Sequence, residues 1–542
     1  MKKIVLTSAS ILAFAAAAPA FAQSNSDVDQ TGNGNGATVT QSGNNTSDID
    51  QDGNNNAASA TQTGAGNSST IDQDSLGGGA FVTQTGDDNI SMIKQVDDAN
   101  ANSIGLPSDP ESTVSQSGNN NFSSVDQNAV APGFNLVANV TQTVGDNVST
   151  INQDALGPNF TGTLRANVTQ NGSSNSILNQ TAANTNSRDL HATITQADSV
   201  STINQLATGL NATQLNAITN QRSGSALTLN QTASGDQSGD LFARVTQANG
   251  ATATINQMAA GTSSVTQDAL VTQNGDNDTT ITQSFANAGS NTFLAIVNQG
   301  GTGNIANVTQ RDQGFGTIAN PDSGLTANVN QTGDGNTTDL VQENKSAFAD
   351  IDQTGDSNIV SAFQGTAGQN LVVLQSGDSN ISNSNQTGLN NSADVLQAGI
   401  GATSTINQTG RNDLAFVDQL VGSDGSSSII TQTGAGGARS ENSASVTQSG
   451  ANGISTITQD GFNSTAELTQ SGATNRSNII QTGTVDGLGN TADVTQSGDT
   501  NLSDILQNGS LNSATVTQSS DNNVSNIQQL GTGGTVTVTQ GF

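Results

Sequence analysis

The functional groups this sequence repeats are side-chain amides. Glutamine recurs at steps of ten or eleven residues, as in the run Gln41, Gln51, Gln62, Gln73, Gln84 and Gln95. An aliphatic residue stands two places before each glutamine and a small one four places before, as in Ala37-Thr-Val39-Thr-Gln41. Glycine follows two places after, and asparagine three places after that: Gln62, Gly64, Asn67. A primary amide carries two donors and an acceptor. Left unpaired among apolar neighbours it costs roughly 1–3 kcal/mol. Identical amides stacked in register satisfy one another, which is the physics of cross-β ladders. The expected chemistry is therefore self-recognition. The ladder is assigned to Gln41, Gln62, Gln73, Gln84, Gln95, Gln331, Gln353, Gln375, Gln397, Gln470, Gln496, Gln507 and Gln518, with Asn67, Asn89, Asn475 and Asn501 at the corners.

Other chemistries find little support. His191 is the single histidine and there is no cysteine, so no metal set or nucleophile–base pair can be assembled around it. Gly32-Asn-Gly34-Asn-Gly36 lacks the strand–turn–helix frame of a dinucleotide site. Gly333-Asp334-Gly335 reads as a solvated turn, because no calcium-binding nonapeptide recurs. The reading is not an enzyme, with no cofactor and no metal. A net charge of −32 with only 12 Lys+Arg excludes a basic surface for nucleic acid. With 3% aromatic and 32% hydrophobic residues, no single large oily core can form. Disorder is opposed by the scarcity of proline (6 residues) and by the strict register of the apolar positions.

The elements that must hold the amides in line follow from the alternation. Small, aliphatic and Gln positions share one face of a strand, and Thr, Ser, Asp or Asn share the other. Gly and Asn between copies supply a turn, with Gly64, Gly86, Gly472, Gly498 and Gly509 expected to accept positive φ. Two kinds of half alternate. One is Val-Thr-Gln, as at Val82-Thr-Gln84 and Val140-Thr-Gln142. The other is Ile-Asp/Asn-Gln, as at Ile71-Asp-Gln73 and Ile151-Asn-Gln153. The repeat is thus a rung of about 22 residues made of two strand–turn halves of about 11. The expected fold is all-β: a β-solenoid of about 21 rungs with two facing parallel sheets, one strand of each per rung. Residues 23–542 read as one continuous array. Wide gaps, mainly between 95 and 331, follow the Ile-type half and precede the Val-type half, so inserted loops should line one edge. Val265-Thr-Gln267 is expected inside one of them.

Apolar residues reach outward positions at Val341 and Phe363 on one sheet, Leu374 and Leu396 on the other, and Ile480 and Leu506 further on. Stacking would make them adjacent, and they are read as lateral contact surfaces. Residues 1–22 read as a secretory signal: Lys2 and Lys3, an apolar stretch, and Ala20-Phe21-Ala22 before the cut. No later stretch is long and apolar enough to be a membrane helix. Neither end shows a capping helix, so open edge strands are expected.

The spacing Gln-x-Gly-x-x-Asn-x-Ser/Ala-x-x-x-Gln resembles the repeat of the curlin family, the subunits of bacterial curli fibres. Gln62, Gly64, Asn67, Ser69 and Gln73 carry it. So do Gln84, Gly86, Asn89, Ser91 and Gln95, and Gln470, Gly472, Asn475, Ser477 and Gln481. Familiar members have a handful of rungs, and this chain has several times as many. The resemblance implies a secreted functional amyloid of a Gram-negative-type bacterium, outside the cell or on its surface, with roles in biofilm matrix and adhesion. It implies copies of itself as partner, with an outer-membrane secretion pore and a minor nucleating subunit beside them. The alternative is a monomeric β-solenoid adhesin, or a surface for ice or polysaccharide built on rows such as Thr38/Thr40, Thr515/Thr517 and Thr537/Thr539. Stacked carboxylates should slow assembly at neutral pH, and mild acid or salt should speed it.

Overall fold

The computed structural model describes residues 23–97, 111–130, 134–156, 162–184, 189–261, 265–286, 291–312, 324–343, 346–434, 440–483 and 488–541. The secretory segment read at 1–22 lies outside them. No helix occurs among the described residues, and 42 of the 44 strands belong to two parallel sheets of 21 strands each. One sheet collects most of the Ile-type halves and the other most of the Val-type halves, with exceptions such as Ile351-Asp-Gln353 in the second and Val308-Thr-Gln310 in the first. Burial alternates along each strand as the two-residue period requires. In Thr46–Asn54, for example, Ser47, Ile49 and Gln51 are buried, and Asp48, Asp50 and Asp52 are exposed.

The chain divides into two compact units, Met1–Asp268 with Phe285–Ser290, and Ala269–Ser284 with Asn291–Phe542. In the first, Ile-type strands pair in register, Ile49 with Ile71, Ile71 with Ile93, and Ile93 with Val125. The Val-type strands do the same through Ala60, Val82, Val114 and Val140. In the second, Val329, Ile351, Val373, Val395 and Val417 form one column and Ile430, Ile457, Ile479 and Ile505 another. Each aliphatic side chain removed from water contributes about 1.5–3 kcal/mol. β-branched residues suit this pleated surface because their restricted χ1 costs little there.

The wide gaps open at one corner, after an Ile-type strand. In the first unit they are more than loops. Ala129, Leu136, Ala155, Leu164, Ala182, Leu190, Leu215, Leu241 and Ala259 belong to a second apolar cluster, every member fully buried. A short strand Phe134–Asn135 pairs there with Gly162–Thr163. Inserted segments of neighbouring rungs therefore stack on each other beside the amide core.

Gln267 corrects one expectation. It lies in the strand Val265–Asn274, fully buried, and not in an inserted loop. Its backbone N–H donates to Asp240 O (3.0 Å), and its carbonyl accepts from Gln257 Nε2 (2.8 Å). It occupies the place that a leucine fills in the preceding rungs, where Gln231 Nε2 donates to Leu241 O.

Candidate functional site: the amide columns

The inward glutamines form columns of hydrogen bonds that all run one way. In the first unit Gln41 Nε2 donates to Gln62 Oε1, Gln62 to Gln84, and Gln84 to Gln116, each at 2.8 Å. On the facing sheet Gln51 donates to Gln73 and Gln73 to Gln95, also at 2.8 Å. In the second unit Gln331, Gln353, Gln375 and Gln397 donate in series at 2.7–2.9 Å. Gln470, Gln496 and Gln518 do so at 2.8 Å on that sheet, and Gln481, Gln507 and Gln529 at 2.8–2.9 Å on the other. Every donor is the glutamine nearer the N-terminus and every acceptor is its partner one rung later.

The second amide proton has a separate task, which the sequence pattern does not announce. It reaches the facing half of the rung and meets a backbone carbonyl, sixteen residues earlier where no insertion intervenes. Gln62 Nε2 donates to Thr46 O (2.9 Å), Gln364 to Phe348 O (2.9 Å) and Gln507 to Thr491 O (2.9 Å). One side chain thus binds rung to rung and sheet to sheet. Both donors of a buried amide are used, as low-dielectric surroundings require.

Corner asparagines make a parallel column. Asn67 Oδ1 accepts the backbone N–H and the Nδ2 of Asn89, both at 3.0 Å, and Asn67 Nδ2 donates to Gly86 O at 2.7 Å. Asn475 Oδ1 accepts from Asn501 N (2.8 Å), and Asn501 Oδ1 from Asn523 N (2.8 Å). Asn501 Nδ2 is buried with no protein partner. Serine hydroxyls of the Ile-type sheet stack likewise, Ser69 on Ser47 at 3.1 Å.

The turn glycines divide into two groups. Gly64, Gly86 and Gly509 have φ of +112°, +108° and +129°. Gly472 and Gly498 do not occupy that region; in their turns Thr474 (φ 60°) and Thr500 (φ 56°) do. The expectation of positive φ fails at these two, and close approach replaces it. A Cβ on Gly472 would stand 2.2 Å from Gly498 O, and one on Gly498 would stand 2.3 Å from Ser520 O.

One corner position carries a carboxyl. Asp413 is fully buried in the column between Asn391 and Asn442, its N–H donating to Asn391 Oδ1 and its Oδ1 accepting from Asn442 N, both at 3.0 Å. Burial raises its pKa, while hydrogen bonds from Ser440 and Asn442 oppose the rise. Asp50, on the outer face, is raised by partial burial and then by the charges of Asp72, Asp29, Asp48 and Asp52. His191 is half-buried, its pKa lowered by burial and by Arg165, against the pull of Asp189.

The outward apolar residues are paired across neighbouring rungs: Val341 with Phe363, Leu374 with Leu396, and Ile480 with Leu506. Leu374 is 41% exposed and the other five are half-buried. Around Leu374 and Leu396 stand Asp350, Asp394 and Asp418, each raised in pKa first by burial. Among the described residues no group of His, Cys, Asp and Glu is arranged to hold a metal.

A parallel two-sheet solenoid whose interior is a column of amides belongs to the repeat proteins built by stacking one unit. The curlin-associated repeat matches this chain three times, at residues 44–74, 440–472 and 487–519, so these three stretches carry curlin-type repeats. No curated protein matches it. The three matches lie where Asn67 and Asn501 and the ladder glutamines Gln51, Gln62, Gln73, Gln448, Gln459, Gln470, Gln496, Gln507 and Gln518 fall.

Proposed function

We propose that this chain is a secreted structural protein that adds copies of itself edge to edge, forming curli-like amyloid fibres for biofilm matrix and surface adhesion. The carrying observation is the single direction of the glutamine columns. Gln30 and Gln41, on the first strands, leave Oε1 facing away from the stack. Gln529 and Gln540, on the last, use Nε2 on Ser513 O (3.0 Å) and Val524 O (2.9 Å) and keep a second proton. Acceptors at one edge and donors at the other are complementary, so addition is head-to-tail and heterologous, a geometry that propagates instead of closing. The curlin repeat supports an extracellular, bacterial setting and a structural role. A secretion pore and a nucleating subunit belong to the same reading.

The outward pairs Leu374–Leu396 and Ile480–Leu506 would then serve contacts between fibres. The carboxylates beside Asp50 govern the pH response. Its pKa is raised, so acid removes that charge earlier than usual and relieves the repulsion along the column Asp29, Asp50, Asp72.

The test is assembly of the purified mature chain, followed by amyloid-dye fluorescence, electron microscopy and fibre diffraction. Fibres with an inter-strand reflection near 4.8 Å are expected, forming faster at mildly acidic pH. The double variant Gln529→Leu/Gln540→Leu should elongate at least about tenfold more slowly, since two growth-edge donors worth about 0.5–1.5 kcal/mol each are removed. A chain that stays monomeric for days, or a double variant that elongates at the parent rate, overturns the proposal.

A further inference from the structure

On the outer face of the Ile-type sheet in the second unit lies a groove of about 260 Å³. It runs along the stacking direction across four successive strands, Thr337–Glu343, Ile359–Gln364, Ile381–Gln386 and Thr403–Gln408. At the usual strand spacing this is about 14 Å. Its walls are two rows of outward side chains, Asp339, Ser361 and Asn383 on one side and Val341, Phe363, Asn385 and Asn407 on the other. The floor is the sheet itself.

Three features of this groove coincide. First, the amides of Asn383, Asn385 and Asn407 have no hydrogen-bond partner among the described residues. A row of outward asparagines on the first unit's Ile-type sheet is committed by contrast: Asn152, Asn179, Asn204 and Asn230 each donate to the next, the last to Asn256 Oδ1, at 2.7–2.9 Å. Second, Phe363 offers an aromatic surface beside them. Its ring lies over Gly365, where an added Cβ would be 2.6 Å from Cε1, so the ring is held close to the sheet. Third, three of the groove's four strands, and the strand beyond them, are uncharged. The strands Ile359–Gln364, Ile381–Gln386, Thr403–Gln408 and Ser427–Thr433 contain no Asp, Glu, Lys or Arg, in a chain of net charge −32. The one carboxylate at the rim, Asp339, already accepts from Asn307 Nδ2 at 2.6 Å.

Uncommitted amides that both donate and accept, next to an apolar ring face on neutral ground, match a ligand with many hydroxyls, apolar C–H faces and no charge. A groove that runs along four successive strands fits an extended polymer better than a compact molecule. We propose that this groove binds a neutral, extended polysaccharide chain, with pyranose rings lying on Phe363 and Val341 and their hydroxyls bonded to Asn383, Asn385 and Asn407. The site is separate from the stacking edges and does not depend on assembly.

Native electrophoresis of the soluble, unassembled full chain tests this, in gels with and without a soluble mixed-linkage β-glucan. Retardation of the anionic chain by the glucan is expected. Phe363→Ala and the pair Asn385→Ala/Asn407→Ala should each weaken it about tenfold, the loss that one or two neutral hydrogen bonds or a ring contact produces. The pair Asn204→Ala/Asn230→Ala, in the committed column, should leave retardation at the parent level. All these side chains point outward, and unchanged β-sheet circular dichroism checks that each variant is folded. No retardation of the parent chain, or equal retardation of every variant, overturns the proposal.

Discussion

Replacing Gln397 by leucine isolates what one amide in the column does. The side chain is fully buried, and its volume is close to that of leucine. It accepts from Gln375 Nε2 (2.7 Å) and donates to Gln419 Oε1 (2.8 Å), Ile381 O (3.0 Å) and Ala402 O (3.1 Å). Leucine leaves a donor on Gln375 and an acceptor on Gln419 buried and unmet, at about 1–3 kcal/mol each. Its apolar body returns part of that, leaving a net cost of about 2–4 kcal/mol. A stacked array opens locally, so a global unfolding midpoint would dilute the effect. Hydrogen exchange resolves it. Backbone amides of the strands Asn370–Gln375, Ser392–Gln397 and Leu414–Gln419 should exchange about 30-fold to several hundred-fold faster. The neighbouring change Leu396→Gln, at an outward half-buried position, should stay within about 0.5 kcal/mol. If the two variants exchange alike, the column does not hold the rungs and the reasoning fails.

Asp413→Asn should stabilise the chain by about 1–2 kcal/mol at neutral pH, by restoring an amide to the asparagine column. The raised pKa means that the fold prefers the protonated acid. Its contribution is intact below the ordinary carboxylate range and is lost as pH rises through the folded-state value. Local exchange around Asn391 and Asn442 should therefore depend on pH in the parent and lose that dependence in the variant. Gly472→Ala should cost about 3 kcal/mol, because the methyl meets Gly498 O. Gly533→Ala should cost about 1 kcal/mol, because φ is +74° but nothing lies within 4 Å of the new carbon. The order of these two in a denaturation series checks the assignment. Leu164→Ala should cost about 2–5 kcal/mol by opening a cavity in the second apolar cluster, read as faster exchange in the inserted segments around Ala155 and Ala182.

Register was the part of the fold most legible in the residues, because a two-residue alternation closed by Gln leaves one choice of inward face. The same spacing separates the Ile-type from the Val-type halves and places the wide gaps at one corner. What the spacing could not convey was the second amide proton. Its acceptor is a backbone carbonyl on the facing strand, and carbonyls have no letter in a sequence. The apolar cluster did leave a trace: Ala129, Ala155, Ala182, Ala207, Ala233 and Ala259 each stand two places after a ladder glutamine. Leu136, Leu164, Leu190 and Leu241 each stand two before the small residue that opens the Val-type half. These continue the inward alternation past the strand, but gaps of unequal length hide the repeat. Gln267 misled for the same reason, since a glutamine can fill a leucine's place when its amide finds Met258 O at 2.9 Å. The glycine turns were half legible, because letters do not separate a glycine needed for φ from one needed for room.

The even spacing between Gln331 and Gln419 bears on how such a chain can change length. Gln331, Gln353, Gln375, Gln397 and Gln419 succeed one another on one sheet at intervals of one whole rung. Duplicating or deleting a whole rung here leaves neighbours that already fit, so unequal recombination within the gene would yield longer or shorter proteins that still fold. Loss of half a rung is a different event. The inward order small–aliphatic–Gln is common to both halves, and the interior would accept the exchange. Every later insertion would then emerge from the opposite edge, and the outer faces would trade places from that point on. Selection on the faces, rather than on the core, would keep the length a multiple of the full rung.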